Sequence, residues 1–307
     1  MRSLRLTLAV VSVLCASTAS CSGRPAAEGT AMPPLIQGQG FSQKPVFGKV
    51  DSPAPTKMSV KTLSQGHGRE VTNGDFVRVQ YLQQAWGATG SMDNSYDTDS
   101  PVSFQVGSEE APPAWQKALL GKRAGSRVEI IAPSRLAFGP GGPPAMIPDG
   151  TVMMVVIDIM NTVTPLTAPS GSIVSAANGI PTVSTNMDGH APHISVPKGS
   201  APRKLVSRYV IEGRGEGLRK AGIAIVAYKT LVWKSGKQIS DFYGRGNLQA
   251  LAVGRTIPGF AEGLRGKKVG SRIILVIPPE LAFKDASYAT IPANSTLVIA
   301  MDLLGQL

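Results

Sequence analysis

A single motif occurs twice in this chain, and the duplication limits the fold more than any other feature. Gly107–Phe138 reads GSEEAPPAWQKALLGKRAGSRVEIIAPSRLAF, and Gly254–Phe283 reads GRTIPGFAEGLRGKKVGSRIILVIPPELAF. Each passes from a glycine through a proline-bearing turn to an aromatic residue, Trp115 or Phe260. Each continues as a short amphipathic segment ending Leu-Xaa-Gly-Lys, then Gly-Ser-Arg, an apolar run and Leu-Ala-Phe. A repeat of this kind predicts two copies of one domain rather than one large core. Pro45 to Trp86 aligns with Pro192 to Trp233 at a constant offset of 147. The offset is 145 between Trp115 and Phe260 and between Phe138 and Phe283. It is 144 for Ile147-Pro148 with Ile291-Pro292 and for Asp158 with Asp302. Steps confined to presumed loops are what duplicated domains accumulate.

Within each copy the periods are readable. Phe76–Leu82 and Ile223–Leu231 alternate in part, as strands with one buried face do. Val128–Ile131 and Ile273–Ile277 are β-branched runs after a Gly-Ser turn, and Val152–Met160 and Leu297–Leu304 are long closing strands. Pro113–Leu120 and Pro258–Leu264 read as short helices, with proline in the first turn and glycine at the end. The expected fold class is therefore α+β: two domains, each an antiparallel β-sheet wrapped around one short α-helix. At 307 residues the chain has room for roughly two domains. The expected boundaries are 45–164 and 192–307. Pro165–Ala191, rich in Ser, Thr, Pro, Gly and Asn, reads as a linker with a possible edge strand at Ile180–Val183.

The N-terminus reads as an export signal over residues 1–20: Arg2 and Arg5, an apolar run Leu6–Ala16, then Ser17-Thr18-Ala19-Ser20 ahead of Cys21. The apolar run is too short to span a bilayer. Residues 21–44 read as a flexible tether. Cys15 and Cys21 are the two cysteines of the chain, so the globular part holds no disulfide framework and no thiolate metal site. With three histidines, His67, His190 and His193, zinc hydrolysis and His-based nucleophilic catalysis are disfavoured. Neither a metal nor a cofactor is expected. Charge is uneven. Sixteen Lys or Arg face seven Asp or Glu between Arg203 and Leu307, whereas Lys44–Asp158 is balanced. An anionic envelope surface is one partner for such a domain, and a solvated basic face is the plainer reading. The basic residues are not interleaved with aromatics, so nucleic acid is not expected.

Taken in order, the motifs resemble the FKBP family of peptidyl-prolyl cis–trans isomerases over about 45–164 and 192–307. The resemblance implies an apolar bowl that grips a proline ring. In the first copy it assigns the catalytic positions to Tyr81, Asp93, Trp115, Phe138 and Ile147, with walls from Met92, Val102, Phe104 and Val155. In the second it assigns Phe260 as floor, with Tyr228, Ile239, Ile257, Phe283, Ile291 and Ile299 around it. Four positions depart from the family pattern in the first copy: Met92 replaces a phenylalanine, Ala111-Pro112 replaces Val-Ile and removes a backbone N–H, and Phe138 replaces a tyrosine. In the second, Ser240 stands at the acidic position with Asp241 one place on, which a regular strand turns to the other face. A cysteine directly after small residues resembles the lipobox of bacterial lipoproteins, with Cys21 as the acylated residue, although Thr18 departs from the usual leucine. The tandem layout resembles actinobacterial envelope proteins.

The resemblance implies an isomerase that assists folding of exported proteins, bound to proline-containing unfolded or extended peptides and lipid-anchored to the extracytoplasmic face of the cell membrane as a monomer. The alternative is a catalytically weak or inactive FKBP-like module that holds unfolded chains.

Overall fold

The computed structural model describes residues 32–109, 111–139, 141–145, 147–220, 222–244 and 246–307. The expected export signal and Cys21 lie outside them. The first domain contains β1 (Leu35–Gln37), β2 (Val46–Phe47), β3 (Ser59–Ser64), β4 (Phe76–Ala85), β5 (Asp93–Asn94), β6 (Val102–Gln105), α1 (Pro113–Leu119), β7 (Arg127–Pro133), α2 (Ser134–Ala137) and β8 (Val152–Val163). Its main sheet runs β3-β7-β8-β4-β5, with β6 also on β4, and the pairings are antiparallel. Helix α1 begins at Pro113 and buries Ala114, Trp115, Ala118 and Leu119 on one face. That spacing is the face a 3.6-residue period presents. The helical turn α2 was not expected. It follows Pro133 at the end of β7, and in the second domain its place is taken by a single 3₁₀ turn, Pro279–Leu281.

Past the connector strand β9 (Gly171–Ile173), the second domain repeats the plan with β10 (Thr182–Val183), β11 (Ile194–Ser195), β12 (Val206–Gly213), β13 (Ile223–Val232), β14 (Gln238–Asp241), β15 (Gln249–Ala252), α3 (Pro258–Gly263), β16 (Arg272–Ile277) and β17 (Leu297–Gln306). Its sheet runs β14-β13-β17-β16-β12-β9, with β15 on β13. Every residue of β16 is buried, as expected of a strand covered on both faces.

Two expectations need correction. The tether does not run free to residue 44. β1 pairs with β2, and this hairpin lies on the first domain: the Ser42 N–H donates to Asp158 and Lys44 pairs with Asp97. Within 165–191, a strand falls in the expected stretch Ile180–Val183, and β9 was not expected. β9 joins β12, and β10 pairs with β11. The offset of 147 carries Leu35 to Thr182 and Phe47 to Ile194, so both hairpins belong to the repeat, which begins near Pro34 and Pro181.

Each hairpin clasps a buried ion pair. Arg127 makes two 2.7 Å bonds to Asp158 through Nε and Nη2; Nη1 also donates to the Gly38 carbonyl and Nη2 to the Gln43 carbonyl. Arg272 makes bonds of 2.6 and 2.8 Å to Asp302 and donates to the carbonyls of Ser184 and Asn186. A buried ion pair survives its desolvation only when its spare donors are satisfied, and the clasp carbonyls supply those acceptors. The two domains also share apolar surface, with Phe76 of the first packed among Ile223, Ile225 and Leu307 of the second.

Candidate functional site

In the first domain the aromatic floor is built on α1. Trp115 is 5% exposed. Its ring centroid lies 4.9 Å from that of Tyr81 on β4 and 6.1 Å from that of Phe104 on β6, both tilted, within the range of favourable aromatic pairs. The indole Nε1 is buried without a partner. The Tyr81 hydroxyl donates to Asp93 Oδ2 at 2.7 Å. β5 sets this contact, because its pairing of Asp93 with Gln83 brings Asp93 alongside Tyr81. Ser95 then anchors the strand, accepting the Tyr81 N–H at 2.8 Å. Burial, followed by the Asp93 hydrogen bond and charge, pushes the Tyr81 phenol far above its usual range, so the hydroxyl stays protonated and its donor role is fixed.

Val102, Phe104 and Phe138 are half-buried against this cluster, and Ile147 is nearly closed over. Met92 is not drawn in. It is 37% exposed and stands at the rim. Val155 is wholly buried within the sheet and supports the floor from behind without presenting a surface. Pro112 caps α1 without an N–H.

The second domain has the same frame with other contents. Tyr228 and Phe260 are half-buried, their centroids 6.0 Å apart edge to face. Ile239, Ile257 and Phe283 pack at the margin, and Ile291 and Ile299 are buried. β14 pairs Ser240 with Thr230 and Asp241 with Lys229, so Ser240 occupies the acidic position. Asp241 turns to the opposite face, where Lys229 meets it at 3.7 Å. Burial alone raises the Tyr228 phenol, and among the described residues no carboxylate hydrogen-bonds it. The Ile257 N–H has no acceptor among the described residues, the donor that Pro112 lacks.

Two residues went unread in the sequence. Phe242 takes the place of Ser95 at the offset of 147 and packs 4.7 Å from Tyr228. Tyr288, 60% exposed, stacks on Phe283 at 4.7 Å with the rings 3° apart. A large aromatic opposite a small polar residue in the aligned repeat was the available signal for Phe242. Tyr288 falls where the two copies differ in length, and nothing aligned marks it.

Two cavities lie away from both floors. One, of about 770 Å³, lies between the domains, and another, of about 200 Å³, lies beside β9 and β12.

The family description "FKBP-type peptidyl-prolyl cis-trans isomerase" matches residues 67–160 and 215–304. Among curated relatives, FkpA of Escherichia coli is 43% identical over 101 residues, 33% of this chain and 37% of FkpA. A probable FK506-binding protein of Corynebacterium glutamicum is 34% identical over 113 residues, 37% of this chain and 96% of that one. The match thus spans little more than a third of FkpA's length. Among solved structures, that of FkpA aligns at 40% identity over 33% of this chain and 47% of that chain, with a TM-score of 0.32. The three FKBP domains of wheat FKBP73 align at 18% identity over 81% of this chain and 94% of that chain, with a TM-score of 0.33. With both halves matched by the family description, the chain belongs to the FKBP-type peptidyl-prolyl cis–trans isomerase family.

Proposed function

We propose that the chain catalyses cis–trans isomerisation of Xaa-Pro bonds in unfolded or extended polypeptides, with the first domain as the active one. The observation that carries this reading is the Tyr81–Trp115–Asp93 constellation. Its aromatic floor has a half-buried phenol held by a carboxylate at 2.7 Å.

The reaction breaks no covalent bond. The barrier of roughly 20 kcal/mol arises from amide resonance. Resonance makes the planar amide more polar than the twisted one, so water stabilises the planar form more. A floor of Trp115 and Phe104 with a rim of Tyr81, Val102 and Phe138 replaces that water with apolar surface, and so binds the twisted state better than the planar one. Asp93 acts through Tyr81, holding the phenol as a fixed donor at the rim.

The test is a protease-coupled isomerisation assay on the full chain with a proline tetrapeptide. Trp115→Ala should remove most of the activity and Phe260→Ala little of it. Undiminished activity in a folded Trp115→Ala protein would refute the assignment.

A second reading applies to the other domain. Without a carboxylate for Tyr228 and with Phe242 laid against its ring, it suits holding apolar chain segments more than turnover. Anchoring through Cys21 at the extracytoplasmic face, assistance to exported proteins and a monomeric state complete the proposal. The excess of positive charge in the second half suits an anionic envelope surface. Cys21→Ala should move the protein from the membrane fraction to the soluble one, and retention at the membrane would rule out lipidation at that residue.

A further inference from the structure

Tyr288 extends the second bowl beyond its floor and walls. Its ring is 60% exposed. One face lies on Phe283, with the centroids 4.7 Å apart and the planes 3° from parallel. The turn that carries it is fixed by two main-chain bonds. The Tyr288 N–H donates to the Ile291 carbonyl at 3.0 Å, and the Ile291 N–H to the Tyr288 carbonyl at 2.8 Å. A third bond, from the Asn294 N–H to the Lys284 carbonyl at 2.8 Å, closes the base of the loop. Phe283 packs on the same core as Phe260, and Ile291 is part of that core. The exposed ring is thus tied by its face to one wall of the bowl and by its main chain to another.

A ring held in this way has already lost the freedom that binding would otherwise remove. Rigid tyrosines supply contact area at low entropic cost for that reason. The face turned away from Phe283 is flat and apolar, and covering it gains about 25 cal/mol per Å². Lys284 and Asp285 flank the loop with opposite charges, so charge does not select what covers it. Shape does, because a flat ring face is matched best by another ring. The first copy has no counterpart. Between Phe138 and Ile147 its loop consists of glycine, proline, alanine and methionine, without an aromatic residue.

We propose that Tyr288 is a specificity-determining residue of the second bowl, which selects polypeptide segments with an aromatic side chain close to the apolar residue seated on Phe260. The guest ring stacks on the open face of Tyr288. Two stacking steps of 4.7 Å put it about 9 Å beyond Phe283, which about three residues of extended chain span. This rests on the reading of the second domain as a module that holds apolar segments, and adds which segments it holds. The first bowl, with no ring on its loop, has no such preference.

The test uses the full chain and two fluorescent peptides in a Gly-Ser frame, with binding followed by anisotropy. Both carry Leu-Pro at the centre. Three residues away on each side, one carries Phe and the other Leu. The wild type should bind the Phe peptide about two- to tenfold more tightly, the range of one aromatic pair. Tyr288→Leu should bring the two affinities together, and Tyr288→Phe should keep the preference. Tyr288 is exposed, so both variants keep the fold, and tetrapeptide isomerisation should be the same in all three chains. Phe260→Ala should weaken both peptides alike. If it does so while the wild type shows no preference for Phe, the role of Tyr288 is overturned and the second bowl still holds segments. If Phe260→Ala changes neither affinity, the second bowl holds nothing, and the role of Tyr288 falls with the reading beneath it. A preference that Tyr288→Leu leaves intact also overturns the assignment to this ring.

Discussion

The two bowls differ less in frame than in what the frame holds. In the first, α1 presents Ala114 and Ala118 to the sheet, and Trp115 closes the floor. In the second, the equivalent residues are Gly259 and Gly263. A methyl group built on Gly259 would come within 2.3 Å of Ile277 Cγ2, and one on Gly263 within 2.8 Å of Leu275. The strand residue that opposes this part of the helix changes in the opposite sense, from Ala132 to Ile277. Helix and strand have traded volume, which close-packed cores tolerate best. The floor ring changes with them from indole to phenyl, and Phe260 is left more open than Trp115. The same comparison separates the rims, because one phenol has a carboxylate and the other has Phe242. A duplicated domain can therefore keep its fold while its site drifts, since fold and site draw on different residues.

The largest expected effect tests the shared part. Arg127→Met and Arg272→Met each strand a buried carboxylate, at a cost of about 3–5 kcal/mol. Both should also release the clasp hairpins, which are held through main-chain carbonyls. Calorimetry and amide exchange over 35–47 and 182–195 check this. If either variant left its hairpin protected, the clasp would not depend on the arginine.

A smaller effect separates the domains by pH. Glu129 on β7 is buried with Oε1 unpartnered, and the equivalent residue in the second domain is Ile274. Burial, opposed in part by Lys61, raises the Glu129 carboxyl to about 7. A raised carboxyl favours the protonated folded form. Its contribution is therefore full below the unfolded value near 4.5 and is lost as pH rises towards 7. Glu129→Gln should remove this loss and stabilise the first domain at pH 8 by on the order of 2 kcal/mol. Ile274→Val should leave the pH profile of the second domain unchanged. A wild-type first domain whose melting temperature is flat from pH 5 to 8 would count against a buried, protonated Glu129.

Smaller again is the traded volume. Gly259→Ala sets an overpacking cost of roughly 2 kcal/mol against a gain in helix propensity of about 1 kcal/mol, for a net loss of about 1 kcal/mol. Paired with Ile277→Ala, the residue type that stands at Ala132, the double variant should lose less than the sum of the two single losses, because Cγ2, the atom that a methyl on Gly259 meets first, leaves with the side chain. Additive losses in the double variant would mean that helix and strand do not compensate as described.

The repeat made the domain count, the order of the elements and the aromatic floors readable, because each rests on side chains that recur at a fixed offset. Ser240 against Asp93 was readable for the same reason, since an ungapped alignment fixes which residue faces Tyr228. The clasps were not readable. Gly38, Gln43, Ser184 and Asn186 serve Arg127 and Arg272 through carbonyl oxygens, and a carbonyl is common to all residue types. Their strands are two or three residues long, too short for a period of two to show. β9 escaped notice because Gly171–Ile173 gains its order from β12 and carries no strong local preference.

The smallest expected effect bears on the rim alone. Asp93 is exposed, and its bond to Tyr81 contributes at most about 1 kcal/mol to stability. Melting temperature is therefore a weak probe of it, and phenol titration is a direct one. Asp93→Asn removes the carboxylate charge that adds to burial at Tyr81, so the Tyr81 phenol should titrate at lower pH than in the wild type. Ser240→Asp places a carboxylate at the position paired with Thr230, one step from where Asp241 faces Lys229. It should move the Tyr228 phenol the other way. The pair of substitutions exchanges one electrostatic feature between the bowls and leaves both floors in place. If Ser240→Asp raises the Tyr228 titration without adding isomerase activity in a Trp115→Ala background, the acid alone does not make a bowl catalytic, and Phe242 becomes the residue that sets the second domain apart. If activity appears, the loss of one carboxylate accounts for the difference between the two copies.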